Sequence, residues 1–216
     1  MKPRTFLRRT TAALAVALVG TGCAPDRATA PDLPAAAAAR NAGSSGAASF
    51  LTPVVTNPGK TVEVVQRERP LKADVSVTQT ITPRGGIIRV GCAGLSLVFA
   101  PGAVSAPLQV TATANAGSGV VYSFEPHGTV FKAPVYVVQD LRITTIRNDI
   151  NLANSVAGAY MPDGLADLSP GGLAKVSELH EAAVHKDHVP GMGLVLTQAV
   201  FEIQHFSGYI LTVGRR

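Results

Sequence analysis

Regular alternation of apolar and polar residues is the feature of this chain that most limits its fold. It runs through Val75–Ile81, Leu108–Ala114 and Phe201–His205, where apolar residues recur at every second position with few exceptions. A period of two is typical of a strand with one buried face. Gly and Pro, which number 21 and 15, bound these runs as turn formers. The pattern predicts antiparallel strands and argues against a coiled coil, which needs charged residues at heptad spacing.

Seven further runs bring the predicted set to about ten strands. They are Val62–Gln66, Ile87–Val90, Leu95–Phe99, Val120–Phe124, Val135–Gln139, Gly158–Met161 and Tyr209–Val213. This number of short strands with turns between them favours an all-β fold, an antiparallel β-sandwich. A short helix or helical turn is expected around Leu173–His185, and Asn148–Ser155 fits no single state.

The first 22 residues have the composition of a signal peptide. Met1–Arg9 carries four basic residues and no acid, and an apolar run, Thr10–Gly22, follows it. That run is shorter than the about 20 residues that a membrane-spanning helix needs. A basic start, a short apolar stretch and small residues together indicate secretion. We expect residues 1–22 to be removed and the protein to be exported.

The last residues of this segment indicate whether the exported protein carries a membrane anchor. Gly20-Thr21-Gly22-Cys23 resembles the signal of bacterial lipoproteins, in which the cysteine is acylated and becomes the first residue, although that family prefers Leu where Gly20 stands. An ordinary signal peptidase that cut nearby would instead leave the protein without lipid. We expect a lipid on Cys23 and an anchor in a membrane of the cell envelope, at the periplasmic face or the cell surface. Acylation excludes a disulfide to Cys92, the other cysteine, which is then expected to be a small buried residue.

The charge balance argues against a nucleic-acid partner. There are 19 Lys and Arg against 14 Asp and Glu, a net charge of +5. Four of the bases lie before residue 10, which leaves 15 against 14 after residue 22. No basic stripe with interleaved aromatic residues remains.

The composition divides the rest of the chain into two parts. Residues 24–60 are dominated by Ala, Pro, Gly, Ser and Asn, which bury too little apolar surface to offset the entropy of ordering. We expect residues 23–60 to form a lipidated cysteine and a flexible tether, and residues 61–216 to form one β-sandwich domain.

Three motifs follow one another in the middle of the chain. They are Gly85-Gly86, then Leu95–Val104, which contains Pro-Gly-Ala, then Val121–Val135, which contains Pro-His-Gly-Thr-Val-Phe-Lys-Ala-Pro-Val. Together with the C-terminal Phe201–Val213, this series resembles the ZU5 domain family. The resemblance implies a β-sandwich that mediates protein–protein contacts and acts on no external substrate.

Elementary chemistry assigns structural roles to these motif residues. Pro101-Gly102 suits a turn, because Pro pre-sets φ and Gly accepts a positive φ. Phe131 is expected to fold back onto the core. Pro134 has no N–H to donate and is expected at a strand start or edge.

His205-Phe206-Ser207 is the one place where these residues suggest chemistry. The Ser207 hydroxyl could attack the Phe206 carbonyl and move the acyl group from nitrogen to oxygen, with the His205 imidazole taking the proton and water hydrolysing the ester. The resemblance implies the same, since some ZU5 members cleave themselves at this triplet.

In the structural alternative, His205 is a buried histidine bonded to backbone, Phe206 fills the core, and Ser207-Gly208 forms a turn or bulge. We favour this alternative because Gly208 would loosen the chain where cleavage needs strain. The leading prediction is therefore a lipid-anchored module for protein binding or envelope structure that is not an enzyme. Autoproteolysis between Phe206 and Ser207 is the alternative.

The remaining patterns predict no metal, cofactor or small-molecule site. His180 and His185 are five residues apart, whereas a zinc-protease helix needs four. His185, Asp187 and His188 are expected in a solvated loop. A carbohydrate-binding surface is disfavoured because the chain has no Trp and only four Tyr.

Overall fold

A computed structural model describes the backbone of residues 55–215 and the side chains of residues 59–213. This part contains fourteen strands, four short 3₁₀ helices and no α-helix. The strands are β1 (Val55–Val64), β2 (Gln66–Leu71), β3 (Val75–Ile81), β4 (Gly86–Val90), β5 (Leu95–Phe99), β6 (Leu108–Ala114), β7 (Gly117–Gly119), β8 (Val121–Glu125), β9 (Val130–Asp140), β10 (Val156–Met161), β11 (Leu173–Glu181), β12 (Ala183–Val189), β13 (Gly193–His205) and β14 (Gly208–Arg215). The 3₁₀ helices are Gly91–Ala93, Leu141–Ile143, Ile150–Asn154 and Gly164–Asp167.

Two antiparallel sheets pack face to face, which confirms the predicted β-sandwich. The larger sheet has the order β1-β11-β10-β14-β8-β6-β3, and the smaller one β12-β13-β9-β5-β4. Strands β2 and β7 form a separate ribbon. The main core lies between the sheets, where side chains such as Leu97, Val137, Val110 and Phe124 are fully buried.

Strand β6 shows how the alternating sequence builds this core. Val110, Ala112 and Ala114 have no exposed surface, whereas the residues between them are partly exposed. On the outer face, threonine hydroxyls of β6 pair at 2.8 Å with hydroxyls of β3. Apolar packing therefore stabilises one face of the strand, and hydrogen bonds between hydroxyls stabilise the other.

A second, smaller core lies at one end of the larger sheet. Strand β1 pairs with β11 and also with β14, so that β1, β11, β10 and β14 form a closed ring. Seven side chains of these strands and Val121 of β8 form a separate buried cluster: Val62, Val64, Val121, Ala159, Met161, Ala174, Val176 and Ile210.

The structure corrects two predictions about elements. The helix expected around Leu173–His185 is wrong, because this stretch forms β11 and the start of β12. β11 has partners on both sides, β1 and β10, and these pairings decide its conformation. Strand β1 begins at Val55, inside the predicted tether, because its backbone pairs with β11 from that residue onward.

Pro134 also differs from its predicted position. It lies inside β9, a central strand of the smaller sheet, and not at a strand start or edge. The register of β9 against β13 shifts at this point, between Ile203 and His205, and the ladder with β5 ends at Val135. A residue without an N–H is tolerated here because the hydrogen-bond ladder is interrupted.

Candidate functional site

The His205-Phe206-Ser207 segment forms the corner at which the chain passes from one sheet to the other. His205 ends β13 in the smaller sheet, and Gly208 begins β14 in the larger one. Three backbone groups of Phe206 and Ser207 are hydrogen-bonded. The Phe206 N–H donates to Thr129 at 2.9 Å, and the carbonyls of Phe206 and Ser207 accept from Gly128 and Phe124 at 3.0 Å.

Phe206 fills the end of the main core. Its side chain is 1% exposed and lies among three other phenylalanine rings. The ring centroids of Phe131, Phe124 and Phe99 are 4.6, 5.6 and 6.1 Å away, and two of these contacts are edge-on. Edge-to-face contacts of this kind stabilise a core beyond the area they bury. The corner is therefore fixed by a buried ring one residue before Ser207.

His205 points away from Ser207, toward the larger sheet. Its Nδ1 lies 3.3 Å from the Tyr209 hydroxyl, and its Nε2 lies 3.5 Å from a carboxylate oxygen of Glu178. Its ring packs edge-on against Tyr160 at 4.7 Å. The prediction of a buried histidine bonded to backbone is wrong, because the side chain is 27% exposed and its neighbours are other side chains.

No base among the described residues is hydrogen-bonded to the Ser207 hydroxyl. The residue is 7% exposed, and its hydroxyl makes no hydrogen bond within residues 55–215. Both nitrogens of His205, the predicted base, lie close to other groups. Gly208 lies against another backbone segment, because a Cβ on it would be 2.9 Å from the Cα of Gly164. Its small size allows two backbone segments to pack closely.

Glu178, Tyr160 and Tyr209 form a row across three strands beside the corner. The registers of β11, β10 and β14 place Glu178 opposite Tyr160, and Tyr160 opposite Tyr209. His180, 3% exposed, lies two residues from Glu178 on the same face of β11, and its Nε2 is 3.5 Å from the Glu178 carboxylate. One carboxylate thus lies between two imidazoles.

The electrostatics of this row follow from burial and from these contacts. The 3.5 Å contact with the His180 imidazole, supported by the charge of His205, lowers the pKa of Glu178. Burial raises the pKa of the Tyr209 hydroxyl, and the Glu178 charge raises it further. Tyr209 is therefore held in its neutral form, as a hydrogen-bond donor.

Sequence analysis identified the triplet but missed the partners of His205. Glu178 and Tyr160 were not singled out, and His180 was considered only for its spacing to His185. Treating Leu173–Glu181 as a strand would have placed Glu178 and His180 on one face. His185, Asp187 and His188 lie on strand β12 and not in a loop. Among the described residues, no three His, Cys, Asp or Glu side chains are grouped to hold a metal ion.

Cys92 departs from its prediction in two ways. It lies exposed on the 3₁₀ helix Gly91–Ala93 and is not buried. It is also disulfide-bonded. The predicted signal peptide, Cys23 and most of the predicted tether lie outside the described residues. No helix within the described range is long and apolar enough to cross a membrane.

Comparison with other proteins adds no relative. No protein-family model matches the chain, and no curated protein is significantly similar to it. The likeness to ZU5 domains therefore rests on the motifs described above.

Proposed function

We propose that the protein is an exported β-sandwich module that contacts another protein or forms part of the cell envelope, and that it acts on no external substrate. The basic and apolar N-terminus supports export. The disulfide at Cys92 supports it as well, because such bonds persist in oxidising compartments. The ZU5-like motifs are what point to protein–protein contacts.

The orientation of His205 carries the non-enzymatic part of this proposal. Acyl transfer at the corner needs a base within hydrogen-bond reach of the Ser207 hydroxyl. The His205 nitrogens instead lie beside Tyr209 and Glu178. In this arrangement the triplet joins two sheets and holds Phe206 in the core.

Self-cleavage between Phe206 and Ser207 is the second candidate, and one contact favours it. The Phe206 carbonyl oxygen accepts the N–H of Gly128 at 3.0 Å, and such a donor would also stabilise an oxyanion on that carbon. Cleavage would leave residues 207–216 as a separate peptide. That peptide would stay paired to β10 and β8 through β14.

Intact mass under denaturing conditions separates the two candidates. The mature full-length chain is compared with a Ser207→Ala variant, because denaturation releases any peptide held only by strand pairing. A single uncleaved mass in both proteins is expected. A fragment ending at Phe206 in the wild type and absent from the variant would overturn the non-enzymatic proposal.

Lipoprotein processing and cleavage by an ordinary signal peptidase leave the sulfur of Cys23 in different chemical states. A lipid on Cys23 converts its thiol to a thioether, so the lipid anchor requires Cys92 to be bonded to a thiol outside this chain. Cleavage by an ordinary signal peptidase before Cys23 leaves that thiol able to form a disulfide. Since the sequence holds only these two cysteines, the disulfide at Cys92 favours the second route.

A further inference from the structure

A groove of about 290 Å³ lies on the outer face of the smaller sheet. Its apolar lining includes Ile87, Val98 and Val138, from β4, β5 and β9. Val98 and Val138 are each only 8% exposed, although they point away from the main core. They form an apolar floor to the groove, and Ile87 beside them is partly exposed, so a segment of chain seated in the groove would cover apolar side chains.

The charge of the groove indicates what kind of segment would fit. Arg142 and Asp140, which line it, form a two-point ion pair with contacts of 3.0 and 2.7 Å. Arg89 also lines the groove but makes no ion pair within residues 55–215. An occupant with apolar residues next to a carboxylate would complement both features.

Cys92 lies at the edge of this groove. The two glycines that bracket its turn, Gly91 and Gly94, line the groove, and Cys92 is exposed beside them. The bond at Cys92 needs a second sulfur, and the sequence holds one other cysteine, Cys23.

We propose that Cys92 is bonded to Cys23 and that the segment after Cys23 lies along the groove, with Asp26 beside Arg89. Ala24 and Pro25 would supply the apolar contacts, and Asp26 is the first acidic residue of the chain. Three residues of extended chain reach about 10 Å, and three residues likewise separate Arg89 from Cys92 on β4 and its turn. The proposal rests on export of the protein.

The length of chain before β1 allows this path. Val55 is 32 residues after Cys23, and an extended chain of that length spans about 105 Å. A folded domain of this size has a radius of gyration of about 15 Å. The segment can therefore pass from the start of β1, in the larger sheet, to the outer face of the smaller one.

Formation of a disulfide between Cys23 and Cys92 is a two-electron oxidation. The two thiols lose two protons and two electrons and become one disulfide. A protein disulfide of the export compartment accepts them and is reduced to a dithiol. The proposal thus requires a thiol oxidant of the disulfide class and no other reactant.

The first test is a peptide map of the exported full-length protein without reduction. Recovery of the mature chain from the export compartment comes first, so a failure of export is seen separately. The expected result is a peptide containing Cys92 linked to one containing Cys23, and two separate peptides after reduction. Lipid on Cys23, unlinked thiols, or a disulfide between two chains would each overturn the proposal.

The second test examines the position of Asp26. The equilibrium between dithiol and disulfide is measured in glutathione buffers for Asp26→Asn and Arg89→Gln, with Asp32→Asn as the matched control in the same segment. Loss of a surface ion pair should lower the equilibrium constant about two- to fivefold in the first two variants. The control should match the wild type. Equal behaviour of all three variants would overturn the placement in the groove, even if the disulfide exists.

Discussion

The Tyr209 hydroxyl donates a 2.8 Å hydrogen bond to the carbonyl oxygen of His205, four residues earlier in the chain. Because His205 ends β13 and Tyr209 lies at the start of β14, this bond ties the two sheets together at the corner. A buried tyrosine bonded to upstream backbone is a recurrent way to fix such corners in β-sandwiches. The same hydroxyl lies beside the His205 ring and so fixes where the imidazole points.

Replacing Tyr209 with Phe should therefore weaken the domain. The change leaves the ring in the core but removes the donor to a partly buried carbonyl, and we expect a loss of about 1–2 kcal/mol in the free energy of unfolding. Urea unfolding followed by circular dichroism measures this loss. Tyr136→Phe is the control, since that hydroxyl makes no hydrogen bond in the described part of the chain. An equal effect of both variants would contradict the role assigned to the Tyr209 bond.

Much of the fold was predictable because alternation records which side of each strand is buried. All ten predicted runs overlap observed strands. Strand β7 escaped prediction because Gly117-Ser118-Gly119 has no apolar residue to mark a face. Strand β11 was mistaken for a helix because its alternation breaks at Glu178, which follows Ala174 and Val176 on the buried face, and at Leu179, which lies on the opposite face.

The candidate site was less predictable than the fold. The triplet was visible as a motif, but two partners of His205, Glu178 and Tyr160, come from strands distant in sequence. Glu178, Tyr160 and Tyr209 meet through the relative register of β11, β10 and β14. Register between strands is a property of the pairing, and the pattern within any one strand does not specify it.

A second prediction concerns Gly158, where β10 passes against a core ring. A Cβ at this position would overlap the ring of Phe201, which is 2% exposed and cannot move into solvent. Gly158→Ala should destabilise the domain by about 1–3 kcal/mol through overpacking. Thermal unfolding measures the effect. Gly171→Ala serves as control because a Cβ there meets nothing within 4 Å. If Phe201→Leu fails to reduce the cost of Gly158→Ala, the ring is not its cause.

A third prediction concerns acid stability and Glu178. Its pKa is lowered in the folded protein, so its contribution is fully present above the ordinary Glu value of about 4.3 and is lost as the pH falls through the lower folded value. The unfolding free energy of the wild type should therefore fall more steeply below about pH 5 than that of Glu178→Gln.

Urea midpoints measured between neutral pH and the acid limit of folding check this difference. Glu181→Gln is the control, because Glu181 is exposed on the same strand and makes no ion pair within the described residues. Parallel curves for the wild type and Glu178→Gln would show that the two imidazoles do not stabilise the carboxylate.

The last prediction concerns Arg67, a buried cation that makes no ion pair with a carboxylate in the described part of the chain. It is 3% exposed, and its Nη1 donates to the carbonyls of Asn115, Gly117 and Gly119. Its Nε and Nη2 have no hydrogen-bond partner within residues 55–215, and burial lowers its pKa. The guanidinium therefore holds the loop around β7 while part of it stays unsatisfied.

Removing this side chain should cost more than replacing it with an apolar one. Arg67→Ala leaves a cavity and three carbonyls without their donor, and should destabilise the domain by about 2–4 kcal/mol. Arg67→Met fills the space and removes the cost of burying a charge, so its effect should be smaller, about 1–2 kcal/mol. Arg69→Ala, exposed on the same strand, is the control and should stay within about 0.5 kcal/mol of the wild type. Equal losses for the Ala and Met variants would show that the bonds to the carbonyls, and not the filled volume, account for the contribution of Arg67.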